Sequence, residues 1–108
     1  MNAEELREYV LQKENVTEGF PFGEDTLVFK VNGKIFLLVS LSSSPLQFNV
    51  KCDPDEAVHL REQYPGSVLP GYHMNKKHWN TVVINGGLAK KQLFKMLEDS
   101  YKLVAKIK

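Results

Sequence analysis

Thr26-Leu27-Val28-Phe29-Lys30-Val31-Asn32-Gly33-Lys34-Ile35-Phe36-Leu37-Leu38-Val39 is the stretch that decides the fold. Leu27, Phe29 and Val31 alternate with Thr26, Val28 and Lys30, the period-two pattern of a strand. Asn32-Gly33 then supplies the positive φ angles that a tight type I′ hairpin requires. The return strand, over 34–41, carries an unbroken apolar run from Ile35 to Val39, which marks a central strand covered on much of both faces. An antiparallel hairpin therefore sits at the heart of the domain.

Working outward, Ser42-Ser43-Ser44-Pro45 turns the chain into a third strand, where Leu46, Phe48, Val50 and Cys52 alternate with Gln47, Asn49 and Lys51. That strand has one apolar and one polar face, so one side of the sheet meets water or a partner. Asp53-Pro54-Asp55-Glu56 opens a helix: Asp53 caps, Pro54 takes the first helical position, and Glu56 lies three residues after the cap. Ala57, Leu60 and Tyr64 form its buried stripe, and Pro65-Gly66 stops it. Two strands are expected over 68–74 and 78–84, joined at Asn75-Lys76-Lys77. Pro70-Gly71 puts the first of them at an edge or a bulge. After the turn Asn85-Gly86-Gly87, the spacing of Leu93, Leu97, Tyr101 and Val104 predicts a helix over 89–107. On the N-terminal side, Asn2 and Glu5 form a capping box for a helix over 2–14. Residues 16–25 read as a loop whose Phe20 and Phe22 tuck into the core. The expected fold class is α+β, a two-layer, mainly antiparallel five-stranded sheet packed on helices in the order α-β-β-β-α-β-β-α.

With 108 residues, the chain is expected to form one domain, 1–108. No segment reaches the roughly 18 consecutive apolar residues of a membrane span, and the first residues lack the basic and apolar regions of a secretory signal. A cytoplasmic location and no membrane partner are the expectations. Cys52 is alone, which excludes an internal disulfide. The net charge of +1 hides an asymmetry. Residues 1–62 hold eleven acidic and six basic side chains, whereas residues 63–97 hold five lysines and no acid.

Gly71-Tyr72-His73-Met74-Asn75-Lys76-Lys77-His78-Trp79-Asn80 concentrates cations, amides and aromatics, the mixture that binds phosphate and stacks on bases. The competing reading makes Trp79 a core anchor and the two lysines a solvated turn. His73 and His78 lack the further ligands that a metal needs, so no metal site is expected. Lys90 and Lys91 sit in the first turn of the last helix, where the macrodipole disfavours cations. Cys52 precedes a helix N-terminus, a position that lowers a thiol pKa, but its phase with Leu46, Phe48 and Val50 points it into the core. Ser42, Ser43 and Ser44 lack the surroundings of a nucleophile. No catalytic residue and no cofactor is expected.

Two blocks carry a family likeness: Pro21-Phe22-Gly23-Glu24-Asp25-Thr26-Leu27-Val28-Phe29-Lys30-Val31 with Gly33-Lys34 and Phe36, and Lys51-Cys52-Asp53-Pro54 continuing to Tyr64-Pro65-Gly66 and the run from Pro70 to Lys76 and from His78 to Val82. In these the chain resembles the MmcQ/YjbR family over nearly its whole length. The resemblance implies a fold like that of type III secretion chaperones and CyaY, and a non-enzymatic DNA-binding role through a double-wing motif. It singles out Tyr72, His73, Asn75, Lys76, His78, Trp79 and Asn80. The chain departs from the family pattern at Leu88-Ala89-Lys90-Lys91, where relatives often carry a polar cap and acids. The expected nucleic-acid-binding set is Lys34, His73, Asn75, Lys76, Lys77, His78, Trp79 and Asn80, with double-stranded DNA as partner. The alternative is a protein-interaction module, chaperone-like or homodimeric. Against DNA stands a pI of 7.8, below the value of about 9 usual for dedicated DNA-binding domains.

Overall fold

The structure, a computed structural model, describes residues 1–106. In chain order its elements are α1 (Ala3–Leu11), β1 (Val16–Gly19), β2 (Thr26–Val31), β3 (Lys34–Ser40), β4 (Gln47–Lys51), α2 (Pro54–Gln63), β5 (Val68–Pro70), β6 (Trp79–Val83) and α3 (Lys90–Ala105). The central hairpin forms as read, with φ of 51° at Asn32 and 80° at Gly33. All neighbouring strands are antiparallel, in the order β1-β2-β3-β4-β6-β5. The α+β class with an antiparallel sheet on helices holds.

The sheet has six strands where five were expected. The addition is β1, which runs along β2 from Val16 opposite Val31 to Gly19 opposite Val28. Only four residues long and followed by Pro21 and Gly23, it has too little alternation to show in the sequence; the free edge of β2 makes it a strand. Phe20 and Phe22 are also placed differently from the reading, at 52% and 66% exposed. Phe29, Phe36 and Phe48 already fill the interior, so the loop after β1 carries its aromatics at the surface. The strand expected over 68–74 ends at Pro70, and residues 71–78 form an ordered loop. The last helix is described to Ala105, followed by Lys106 in the left-handed region; residue 107 lies outside the described residues.

Register sorts the side chains onto two faces. Leu27, Val39, Phe48, Val82 and Val68 form one continuous row across five strands, and Phe29, Leu37, Val50 and Asn80 form the next. Leu6 and Val10 of α1 and Leu93, Met96, Leu97, Tyr101 and Val104 of α3 pack on these rows. A bulge between Phe29 and Lys30 lets Phe36 join them, its ring meeting Tyr101 edge-on at 5.6 Å. The Ser100 hydroxyl, fully buried, donates to the Phe36 carbonyl (2.6 Å) and accepts from the Lys51 amide (2.9 Å), fastening α3 to β3 and β4. α2 packs on the same side, over β5 and β6. Among the described residues, no helix packs on the opposite face.

Candidate functional site on the open face of the sheet

The open face is read from the same register. Val28, Leu38, Asn49, Thr81 and Leu69 form one row, and Thr26, Ser40, Gln47 and Val83 form the next. Towards the hairpin end stand Lys30 opposite Thr17, and Lys51 opposite Trp79. Lys30 and Lys51 are the charged strand residues of this face, and no carboxylate accompanies them on the strands. Glu18 belongs to the other face, level with Phe29, and binds Arg7 of α1 with 2.6 and 2.7 Å contacts that lower its carboxyl pKa.

Two loops lean over this face from opposite ends. The loop after β1 brings Phe22, and residues 71–74 fold back over β6 and β4. Gly71 makes the fold-back possible: its amide donates to the Trp79 carbonyl at 3.0 Å, and a Cβ there would stand 2.8 Å from the Trp79 Cβ. The Tyr72 amide then donates to the Thr81 hydroxyl (3.0 Å), which donates to the Asn49 side-chain oxygen. His73 takes a left-handed φ of 59°, and its ring lies 4.0 Å from that of Tyr72. Between the loops is a trough of about 560 Å³ lined by Phe22, Thr26, Leu38, Ser40, Gln47, Asn49, Tyr72 and His73 among others.

The eight residues expected to bind divide into four groups. Lys34 at the β2–β3 tip, Lys76 and Lys77 in the 71–78 loop, and His73 are exposed, and both tips project from the same end of the sheet. Three strand spacings separate them, roughly 14 Å. Asn75 and His78 build the loop: the Asn75 side chain accepts from the Lys77 amide, its carbonyl accepts from His78 and Trp79, and the His78 carbonyl accepts from Cys52. Trp79 is half-buried on the open face beside Lys51. Asn80 is a correction. It is 1% exposed on the helix side, donating to the Ala57 carbonyl (3.3 Å) and accepting from Arg61 Nε (2.8 Å), so it holds α2 rather than meeting a ligand. The same Arg61 also donates to the Lys76 carbonyl, bracing the loop.

Sequence reasoning missed Gln47, Asn49, Thr26, Lys30 and Lys51 as parts of one surface. Alternation over 46–52 had marked its polar face, but which strands share that face depends on register. Lys90 also finds a structural place: its ammonium binds Glu5 of α1 at 2.8 Å, which lowers the Glu5 pKa. Cys52 is half-buried rather than in the core, facing a gap of about 300 Å³ between α2 and α3. Desolvation, then the nearby Glu56 and Asp53 carboxylates, push its thiol up to about 11. Among the described residues, no three His, Cys, Asp or Glu side chains converge as for a metal ion.

A helix-backed antiparallel sheet whose other face carries only loops among the described residues defines the class: a small two-layer α+β domain. A sequence model of the YjbR family matches residues 11–103, and the chain belongs to that family. It is 41% identical to YbdF of Escherichia coli O157:H7 over 85 residues, 79% of this chain and 69% of that protein. It is 29% identical to YjbR of Escherichia coli K12 over 101 residues, 94% and 85% of the two chains. The crystal structure of Deinococcus radiodurans protein DR2400 superposes with a TM-score of 0.93 at 37% identity, over 98% of this chain and 80% of that one. A Pseudomonas syringae protein follows at 0.81 and 28%, over 96% and 99%.

Proposed function

We propose that this domain binds nucleic acid without catalysing a reaction, using the lysine-bearing end of its open sheet face and the two loop tips beside it. The observation that carries the reading is the charge of that face: Lys30 and Lys51 on the strands, Lys34, Lys76 and Lys77 on the tips, and Trp79 between them, while the acidic side chains of α2 lie on the helix side. Confinement to one face reconciles binding with a pI of 7.8. Tips roughly 14 Å apart are on the scale of the ~12 Å major groove, so they suit a wing-like grip on duplex DNA. Burial and the nearby Glu56 and Asp53 carboxylates raise the Cys52 thiol pKa, which makes the thiol a poor nucleophile at neutral pH.

The test is a titration of labelled DNA at several salt concentrations. The double substitution Lys76→Ala with Lys77→Ala is expected to reduce the slope of log K against log salt by about two, from the ~0.9 contributed by each phosphate contact. An unchanged slope rules out the tips.

A second reading, a protein-interaction module, rests on β1, an edge strand followed by the exposed Phe20 and Phe22. A stable dimer in sedimentation that dissociates on Phe22→Ser would favour it.

A further inference from the structure

We infer that the trough on the open face is a base-binding site, taking the planar heteroaromatic ring of an unpaired nucleotide with its phosphate directed towards Lys30 and Lys51. The inference rests on the nucleic-acid reading and adds to it a defined pocket and a preference for unpaired bases.

Three observations carry it. The trough has aromatic walls: the Tyr72–His73 ring pair on one side, with Tyr72 69% exposed, and Phe22 on the other. A base has a π-face that stacks on such rings whatever its identity. Its floor sets the apolar Leu38 beside neutral polar groups, the Gln47 and Asn49 amides and the Thr26 hydroxyl. The Asn49 oxygen is occupied by Thr81, which orients the amide and leaves its NH₂ group, for which no partner occurs among the described residues, to donate to a base edge. Charge then sets direction. Among the described residues, the trough lining holds no lysine and no carboxylate; Lys30 and Lys51 continue the same face at one end, whereas Glu24 and Asp25 stand on the loop at the other. A nucleotide therefore lies with its base over Asn49 and its phosphate towards the lysines. The left-handed backbone at His73, sparsely populated for residues other than glycine, is held by the fold-back at Gly71 and by the Tyr72–Thr81 hydrogen bond, and it sets the ring pair at the rim.

The ring chemistry has two sources, an unpaired base within a strand or a free nucleotide, which three probes separate. ¹⁵N-labelled protein is titrated with a short single-stranded oligonucleotide, the duplex of the same sequence, and adenosine 5′-monophosphate, following the amide signals of Asn49, Tyr72, His73, Met74 and Thr81. The single strand is expected to shift these signals and to bind at least tenfold more tightly than the duplex. Tyr72→Ala and Asn49→Ala should each weaken it by about tenfold, with the remaining spectrum unchanged as proof of folding. A monophosphate that shifts the same signals while the strand does not would overturn the strand-binding trough and assign it to free nucleotides, and failure of the duplex to bind as well would remove the nucleic-acid reading. Equal binding of strand and duplex, insensitive to Tyr72→Ala but lost with Lys76→Ala and Lys77→Ala, would overturn the trough and leave the tips. If no probe binds, both readings fail.

Discussion

The two faces of this sheet come from the same strands and differ in what their side chains must do. On the helix side, Leu27, Val39, Phe48, Val82 and Val68 make a row that the three helices seal, and even the polar residues buried on that side, Asn80 and Ser100, are spent on internal hydrogen bonds. On the open side the corresponding rows are hydroxyls, amides and two lysines around Val28 and Leu38. The lesson is a division of labour by parity. Residues of one parity build the core under the helices, while their neighbours in sequence carry the hydroxyls, amides and lysines of the other face.

Substitutions should separate the faces by their effect on stability. Leu97→Ala, at a fully buried position between α3 and the sheet, is expected to cost about 2–5 kcal/mol in urea unfolding. Asn80→Ala comes next, at roughly 1–3 kcal/mol, because it removes a buried amide and leaves the Ala57 carbonyl and Arg61 short of a partner. If Asn80→Ala instead left stability intact and weakened nucleic-acid binding, the assignment of Asn80 to the helix face would be wrong. A smaller effect is expected at Cys52. Its folded pKa, about 11, lies above the value of 9.0 for an unperturbed thiol. Stability linked to the neutral thiol is therefore present below pH 9.0 and declines as pH rises towards 11. Cys52→Ser should flatten that part of the pH profile. Alkylation at neutral pH should run on the order of a hundredfold slower than in the unfolded chain, as two pKa units imply. Smallest of all, Tyr72→Ala should change stability by no more than about 0.5 kcal/mol, since its ring is exposed. A loss well beyond that would make Tyr72 part of the packing and blur the distinction between the faces.

Much of this was legible in the chain. Asn32-Gly33 between apolar runs announced the hairpin, Asp53-Pro54 the start of α2, and the polar alternate residues of 47–51 a face without a helix. The loop 71–78 stood out by composition. Its residues, however, proved to have unlike duties: Asn75 and His78 shape the loop, Asn80 anchors α2, and Tyr72, His73, Lys76, Lys77 and part of Trp79 face outward. Local sequence does not reveal which, because hydrogen-bond partners such as Arg61 and Ala57 lie far away in the chain.

By itself, then, the sequence determined the elements: strand alternation, turn glycines and helix caps are properties of neighbouring residues, set by backbone sterics and local hydrogen bonds. Tertiary structure decided everything that depends on pairing. It recruited Val16–Gly19 as an edge strand, left Phe20 and Phe22 outside a core already filled, and brought Lys30, Asn49 and Lys51 together with Tyr72 on one face. Register is the physical reason, for a shift of one residue would send every one of those side chains to the opposite face.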